Sequence, residues 1–191
     1  MARPVEFDRA DVLRNAALVF QQKGYTQTTM RDLVHATGLN ESSIYNSFGN
    51  KRAMFLDVLK NYESQFARTV NALRATHSPR EILEHTWWSL VDYTSESAAQ
   101  GCLLLSAANE VGFYDNEVRD YVRNAYAAME EALEALVREG QAAGEIAADK
   151  DARQLARFLA NSYQGLRSAA ALKPSREKCE DIVRAALTVL D

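Results

Sequence analysis

The sequence predicts an all-α protein of about nine helices, with a three-helix N-terminal head and a larger C-terminal helical body. Three observations predict it. Apolar residues recur at helical spacing in every segment, and no alternating apolar–polar run of strand type occurs. Helix start and stop signals punctuate the chain, with Asp8, Thr29, Asn40, Asn50 and Ser78 before apolar runs and Gly24 and Gly38 after them. Finally, 191 residues with 47% hydrophobic content suffice for a sizeable core.

In chain order, Asp8 caps a first helix that runs to about Lys23, with Val12, Leu13, Ala16, Ala17 and Phe20 on one face, and Gly24 ends it. Thr29 with Asp32 three residues later forms a shortened capping box for the second helix, whose inward face is Leu33 and Val34. Gly38 suits the left-handed conformation that closes a helix. Leu39 fills the corner, Asn40 caps the third helix, and Ile44 with Phe48 gives that helix one apolar stripe. Its remaining positions, Glu41, Ser42, Ser43, Asn46 and Ser47, are polar and expected at the surface. A short helix with a polar outer face behind a glycine-containing turn is what a helix-turn-helix reader requires.

Asn50 caps a long fourth helix to about Ala75, with Phe55, Val58, Leu59, Tyr62, Phe66, Val70 and Leu73 inward, long enough to leave the head and enter the body. Ser78-Pro79-Arg80-Glu81 starts the fifth, which carries Ile82, Leu83, Thr86, Trp87 and Leu90. Gln100-Gly101-Cys102 breaks the chain before a short apolar sixth helix around Leu103 to Val111. Asp115 or Asn116 starts a long seventh, with Val118, Tyr121, Val122, Ala125, Met129, Leu133 and Leu136 along one face, stopping near Gly140 to Gly144. An eighth helix is expected over 149–172, and Pro174-Ser175 restarts the chain into a last helix bearing Cys179, Ile182, Val183, Ala186 and Leu190. The expected division is a head at 5–65 and a body at 66–191.

The net charge of −4 is unevenly spread: residues 1–60 carry 8 Lys/Arg against 6 Asp/Glu, and residues 61–191 carry 14 against 20. A head of +2 permits DNA binding through a few placed contacts rather than a broad basic field. No apolar run approaches the ~18 residues of a membrane span, and no secretion signal is read at the start, so a cytoplasmic protein is expected. Cys102 and Cys179 match no metal spacing, and His35, His77 and His85 are scattered. No metal, no cofactor and no enzymatic activity are expected.

Residues 7–62 resemble the TetR family of transcriptional regulators. The pattern stands here as Ala16-Ala17, Val19-Phe20, Lys23-Gly24-Tyr25, Thr28-Thr29-Met30-Arg31-Asp32-Leu33, Gly38-Leu39, Ser43-Ile44-Tyr45, Phe48, Asn50-Lys51 and Phe55. Val34 and Glu41 depart from it, standing where alanine and a basic or small residue are usual. Gly101-Cys102-Leu103-Leu104-Leu105 looks like a motif of one branch of these regulators. The resemblance implies a homodimer, formed through the last two helices, that binds a palindromic double-stranded DNA operator and represses transcription until a small molecule in the body releases it. By the same resemblance, Arg31, Glu41, Ser42, Ser43 and Asn46 lie where base edges are read, and Thr29, Tyr45, Ser47 and Lys51 where phosphates are held, with Asn40 leading the reading helix. The chemistry suits those roles: Arg pairs with guanine, Asn with adenine, and Glu accepts from cytosine.

For the body, aromatic and polar residues expected to line an effector pocket are Tyr62, Phe66, Trp87, Cys102, Asn109, Phe113, Tyr121, Phe158 and Asn161, in a cavity between the fourth, fifth, seventh and eighth helices. Gln164, His85 and Glu110 are further polar candidates. Cys102, at the start of an apolar helix, also suggests a thiol-based redox or electrophile sensor. Two remoter readings are a protein-binding adaptor and a cysteine enzyme, the latter needing His85 within reach of Cys102. Ala156, Ala160, Gly165, Ala169, Ala170, Ala185 and Ala186 suggest close helix approach at a dimer interface.

Overall fold

The computed structural model describes residues 7–95 and 101–191, so the expected break at Gln100 lies outside the described residues. These contain nine α-helices and no strand: α1 (Arg9–Gln27), α2 (Met30–Thr37), α3 (Glu41–Phe48), α4 (Lys51–Leu73), α5 (Pro79–Ser95), α6 (Leu103–Glu110), α7 (Asn116–Ala142), α8 (Ala152–Ala169) and α9 (Arg176–Leu187). Short 3-10 turns follow α8 (Ala170–Leu172) and α9 (Thr188–Leu190).

The caps set the helix starts. Asp8 accepts from the backbone N–H groups of Ala10 and Asp11, Asn40 from Ser43, Asn50 from Ala53, Asp115 from Val118, and Ser175 from Lys178. Ser78 and Glu81 form the expected reciprocal pair at α5. Gly24, at φ 72°, breaks α1 where the sequence ends it, although one further turn follows before Thr28. Gly38, at φ 71°, ends α2 and donates its N–H to the Val34 carbonyl. The eighth helix is shorter than expected because Asp151 caps it, accepting from Gln154 N–H, and the chain tightens into the 3-10 turn after Ala169.

Two apolar clusters form the interior, and their membership crosses the chain. One unites α1–α3 and the first half of α4 with Cys102, Leu103, Leu104, Ala107 and Val111 around α6, and with Val118, Val122 and Ala125 of α7. The other joins Val70, α5, the second half of α7, α8 and α9 around Trp87, Leu133, Leu136, Leu159 and Cys179. The short α6 is therefore packed as part of the head's core, although it comes from the body's stretch of sequence.

Candidate nucleic-acid interface and effector cavity

Ile44, fully buried, and Phe48 seat α3 on the head, which leaves Glu41, Ser42, Tyr45 and Asn46 exposed on its outer face; Ser43 and Ser47 are half-buried. Arg31 on α2 is exposed, close to this helix in sequence, and forms no ion pair among the described residues. Thr29 and Asp32 form a complete capping box, and Lys23 bonds the same carboxylate at 2.6 Å. The Lys23 ammonium, then the backbone and hydroxyl of Thr29, hold Asp32 well below the usual carboxylate range. Arg9 fastens the far end of α3: it donates to the Ser47 carbonyl at 3.0 Å and to Asp57 at 2.5 Å, with its guanidinium 4.2 Å from the centre of the Phe48 ring.

Two residues expected to hold phosphates are engaged inside the head. The Thr29 hydroxyl is committed to Asp32. Lys51 donates to the carbonyls of Tyr25 and Thr28, both at 2.9 Å, and lies 4.4 Å from the centre of the Tyr25 ring. An ammonium has three N–H donors, so one remains for a phosphate after these bonds. Lys51 thus staples the start of α4 to the corner between α1 and α2.

The body grips the head at the same corner. Glu110, the last residue of α6, accepts from the N–H groups of Tyr25 at 2.8 Å and Thr26 at 2.6 Å. Burial alone would raise this carboxyl, but the bonds from Thr26 and Tyr25 and the charge of Lys51 outweigh it, so the net shift is downward. Gly24 lies directly beneath: a Cβ there would stand 2.6 Å from Glu110 Oε2. Arg52 of α4 binds both oxygens of Asp115, at 2.6 and 2.9 Å, and Glu117 at 2.7 Å at the start of α7. Gln21 donates to the Gly101 carbonyl at 3.2 Å.

A cavity of about 90 Å³ lies between α4, the start of α6, α7 and α8. Its apolar wall includes Phe66, Leu104, Ala125 and Met129, and its polar groups are Tyr62, Cys102, Tyr163, Gln164 and Arg167. Tyr62 accepts from Leu103 N–H at 3.4 Å and from Arg167, and burial raises its phenol well above the usual value, so it is neutral. Cys102 is buried and donates its thiol to Gln164 Oε1 at 3.0 Å.

Of the nine residues expected at this pocket, Tyr62, Phe66 and Cys102 line it. Trp87 is fully buried in the second cluster, behind Tyr163, against which it packs edge-on. Phe113 and Phe158 are exposed at 82% and 48% on this chain, outside the cavity. Asn109 is exposed, Asn161 is exposed and bonds the Arg157 carbonyl, and Tyr121 packs on the head's cluster. α6 takes the place expected for α5 because Cys102 and Leu104 reach the cavity while the buried face of α5 packs into the second cluster. Arg167 and Met129 were missed. The available signal was helical spacing: Arg167 is four residues beyond Tyr163 and eight beyond Leu159, on the buried stripe of α8.

The cysteine-based readings lose their geometric support. His85 is exposed and pairs with His77, ring centres 5.7 Å apart, whereas the Cys102 thiol is buried against Gln164. Among the described residues no group of three or more His, Cys, Asp or Glu is placed to hold a metal ion.

A short third helix, capped at Asn40, offering a polar outer face and fixed by a buried apolar stripe behind a glycine turn, defines a helix-turn-helix protein. The pattern described as "Bacterial regulatory proteins, tetR family" matches residues 12–58, and "Tetracyclin repressor-like, C-terminal domain" matches residues 80–186. The chain belongs to the TetR family and is a DNA-binding transcriptional repressor. It is 32% identical to the uncharacterized HTH-type transcriptional regulator YezE of Bacillus subtilis (strain 168), over 100% of both chains. It is 30% identical to the HTH-type transcriptional repressor ComR of Escherichia coli (strain K12), over 94% of this chain and 87% of that one. The fold is similar to that of a cysteine mutant of the TetR family regulator CifR complexed with 26-bp double-strand operator DNA. That similarity has a TM-score of 0.84 at 29% identity, over 99% of this chain and 100% of that one.

Proposed function

We propose that this repressor acts as a homodimer in the cytoplasm and leaves a palindromic operator when a small molecule occupies the cavity beside Arg167. One observation carries this reading: α6 serves both ends of the coupling. Its first turn supplies Leu104 to the cavity, next to Cys102, and its last residue, Glu110, holds the head through Tyr25 and Thr26. Eight residues of helix span about 12 Å, so an occupant that displaces the first turn moves the carboxylate that positions the helix-turn-helix. Release is then a population shift between a form whose heads fit half-sites about 34–36 Å apart and one whose heads do not.

On the DNA side, Arg31, Glu41, Ser42, Ser43 and Asn46 are assigned to base edges and Tyr45 to phosphate. Ser47, Thr29 and Lys51 act mainly by holding the head in shape, and Asn40 by capping α3. The division into a DNA-binding head at 5–65 and an effector and dimer body at 66–191 accompanies this assignment. Exposed Phe158 on α8 and Ile182 on α9 support dimerisation through these helices. Of the small residues there, Ala156, Ala160, Ala170 and Ala186 are buried in the chain's own core and Ala169 is half-buried, which leaves Gly165 and Ala185 exposed for close approach.

Gel-shift titration against the DNA upstream of its own gene tests the proposal, with and without cell extract as a source of effector. Specific binding that the extract relieves is the expected result. Absence of specific binding under both conditions would sink it.

A further inference from the structure

Arg167 lies where a charged side chain needs a reason. Its half-buried guanidinium is flanked by aromatic rings, 4.8 Å from the centre of Tyr62, 5.1 Å from Tyr93 and 5.8 Å from Tyr163. It donates to the Tyr62 hydroxyl, and its Nε is buried with no partner among the described residues. Arg80, Arg138 and Arg176 pair with carboxylates at the surface. Among the described residues, no carboxylate pairs with Arg167. A guanidinium stays protonated, and drawing it partly out of water beside no described counter-charge carries a cost. Ring faces and neutral phenols offset part of that cost, and no carboxylate of the described residues neutralises the charge.

The cavity wall sets this charge beside an apolar surface. The polar groups of Arg167, Gln164 and Tyr62 meet the apolar surface of Phe66, Leu104 and Met129. A planar fork of N–H donors matches a carboxylate better than any neutral group. A 150 Å³ apolar cavity holds benzene. In proportion, the 90 Å³ here takes about four non-hydrogen atoms. That is an acid group and a carbon or two, with a longer tail leaving past the exposed Ala67 and Ala128.

We infer that the effector is a small organic carboxylate, its acid group on Arg167 and its apolar part against Phe66 and Met129. The inference rests on the proposed role of this cavity as the effector site. It differs from that proposal in naming the charge and size of the occupant.

The test uses the full chain in calorimetric titrations with propionate, butyrate and crotonate, each beside its primary amide, and with inorganic phosphate. Wild type is expected to bind at least one acid about 10-fold or more tighter than its amide. Arg167→Met, checked for folding by circular dichroism, is expected to erase that preference. Should that variant not fold, Tyr62→Phe is expected to weaken the acid several-fold and leave the amide unaffected. Four results would overturn the inference: equal binding of acids and amides, a preference that survives in the folded Arg167→Met, phosphate binding as well as the acids, or no acid binding up to about 10 mM. In a parallel gel shift, acids that bind without releasing operator refute release and leave the ligand class standing. Release by cell extract while the acids remain inert refutes the ligand class alone.

Discussion

Replacing Glu110 with alanine removes the contact through which α6 holds the helix-turn-helix. The carboxylate accepts two backbone N–H bonds, from Tyr25 at 2.8 Å and Thr26 at 2.6 Å, just after the break at Gly24. A hydrogen bond to a charged group contributes about 1.5–3 kcal/mol. Two such bonds, discounted because solvent reaches this half-buried group, give about 2 kcal/mol in total. For a chain of this size that lowers Tm by about 4–8 °C. Glu110→Gln keeps one acceptor oxygen and loses the charge, so its loss is about half as large. The lowered native pKa sets the pH dependence: the contribution is complete above the ordinary value of 4.5 and disappears as pH falls below it through the native value. Thermal unfolding of wild type and both variants at pH 7 and pH 3 checks this. The gap between wild type and Glu110→Ala is expected to be full at pH 7 and to narrow at pH 3. Equal melting at pH 7, or a gap that widens in acid, would show that Glu110 does not hold the head.

Further outcomes follow from the same geometry. Arg31→Ala is expected to lose about 1–3 kcal/mol of discrimination between operator and random DNA, whereas Lys51→Ala weakens binding to both alike. Lys51→Ala should also melt earlier, by roughly 1–2 kcal/mol, because two backbone carbonyls lose their charged donor; equal affinity losses on both DNAs for both variants would contradict the assignment. Gly38→Ala meets no atom within 4 Å and costs only its left-handed backbone, about 1–2 kcal/mol. Gly24→Ala should cost about 1 kcal/mol more by dislodging Glu110, and chemical denaturation of each in the Glu110→Ala background should show that excess vanish. Because Cys102 and Cys179 are both buried, a bulky thiol reagent should label neither at an appreciable rate until denaturant is added; rapid native labelling of Cys102 would restore the sensor reading.

The head was legible because its signals are local. Thr29 with Asp32, Asn40 with Ser43, and Gly38 with Val34 act within four residues, so the pattern carries their geometry directly. The cavity was legible only in part. Each aromatic was correctly read as large and apolar, but a body of packed helices offers several faces to bury against. Trp87 went to the core, Phe158 to the outer face of α8, and Tyr62 with Phe66 to the cavity. Spacing shows which side of a helix is apolar and leaves open which neighbour covers it.

The sequence by itself determined the all-helical fold, the caps, the polar face of α3 and the family, since each depends on neighbours in the chain or on a contiguous pattern. Only the tertiary structure decided that Lys51 serves the head's interior, that Glu110 joins α6 to Tyr25 across 85 residues, and that Arg167 meets Tyr62 across 105. Such contacts depend on the relative rotation and offset of whole helices, which packing of the complete core sets and no local run of residues encodes.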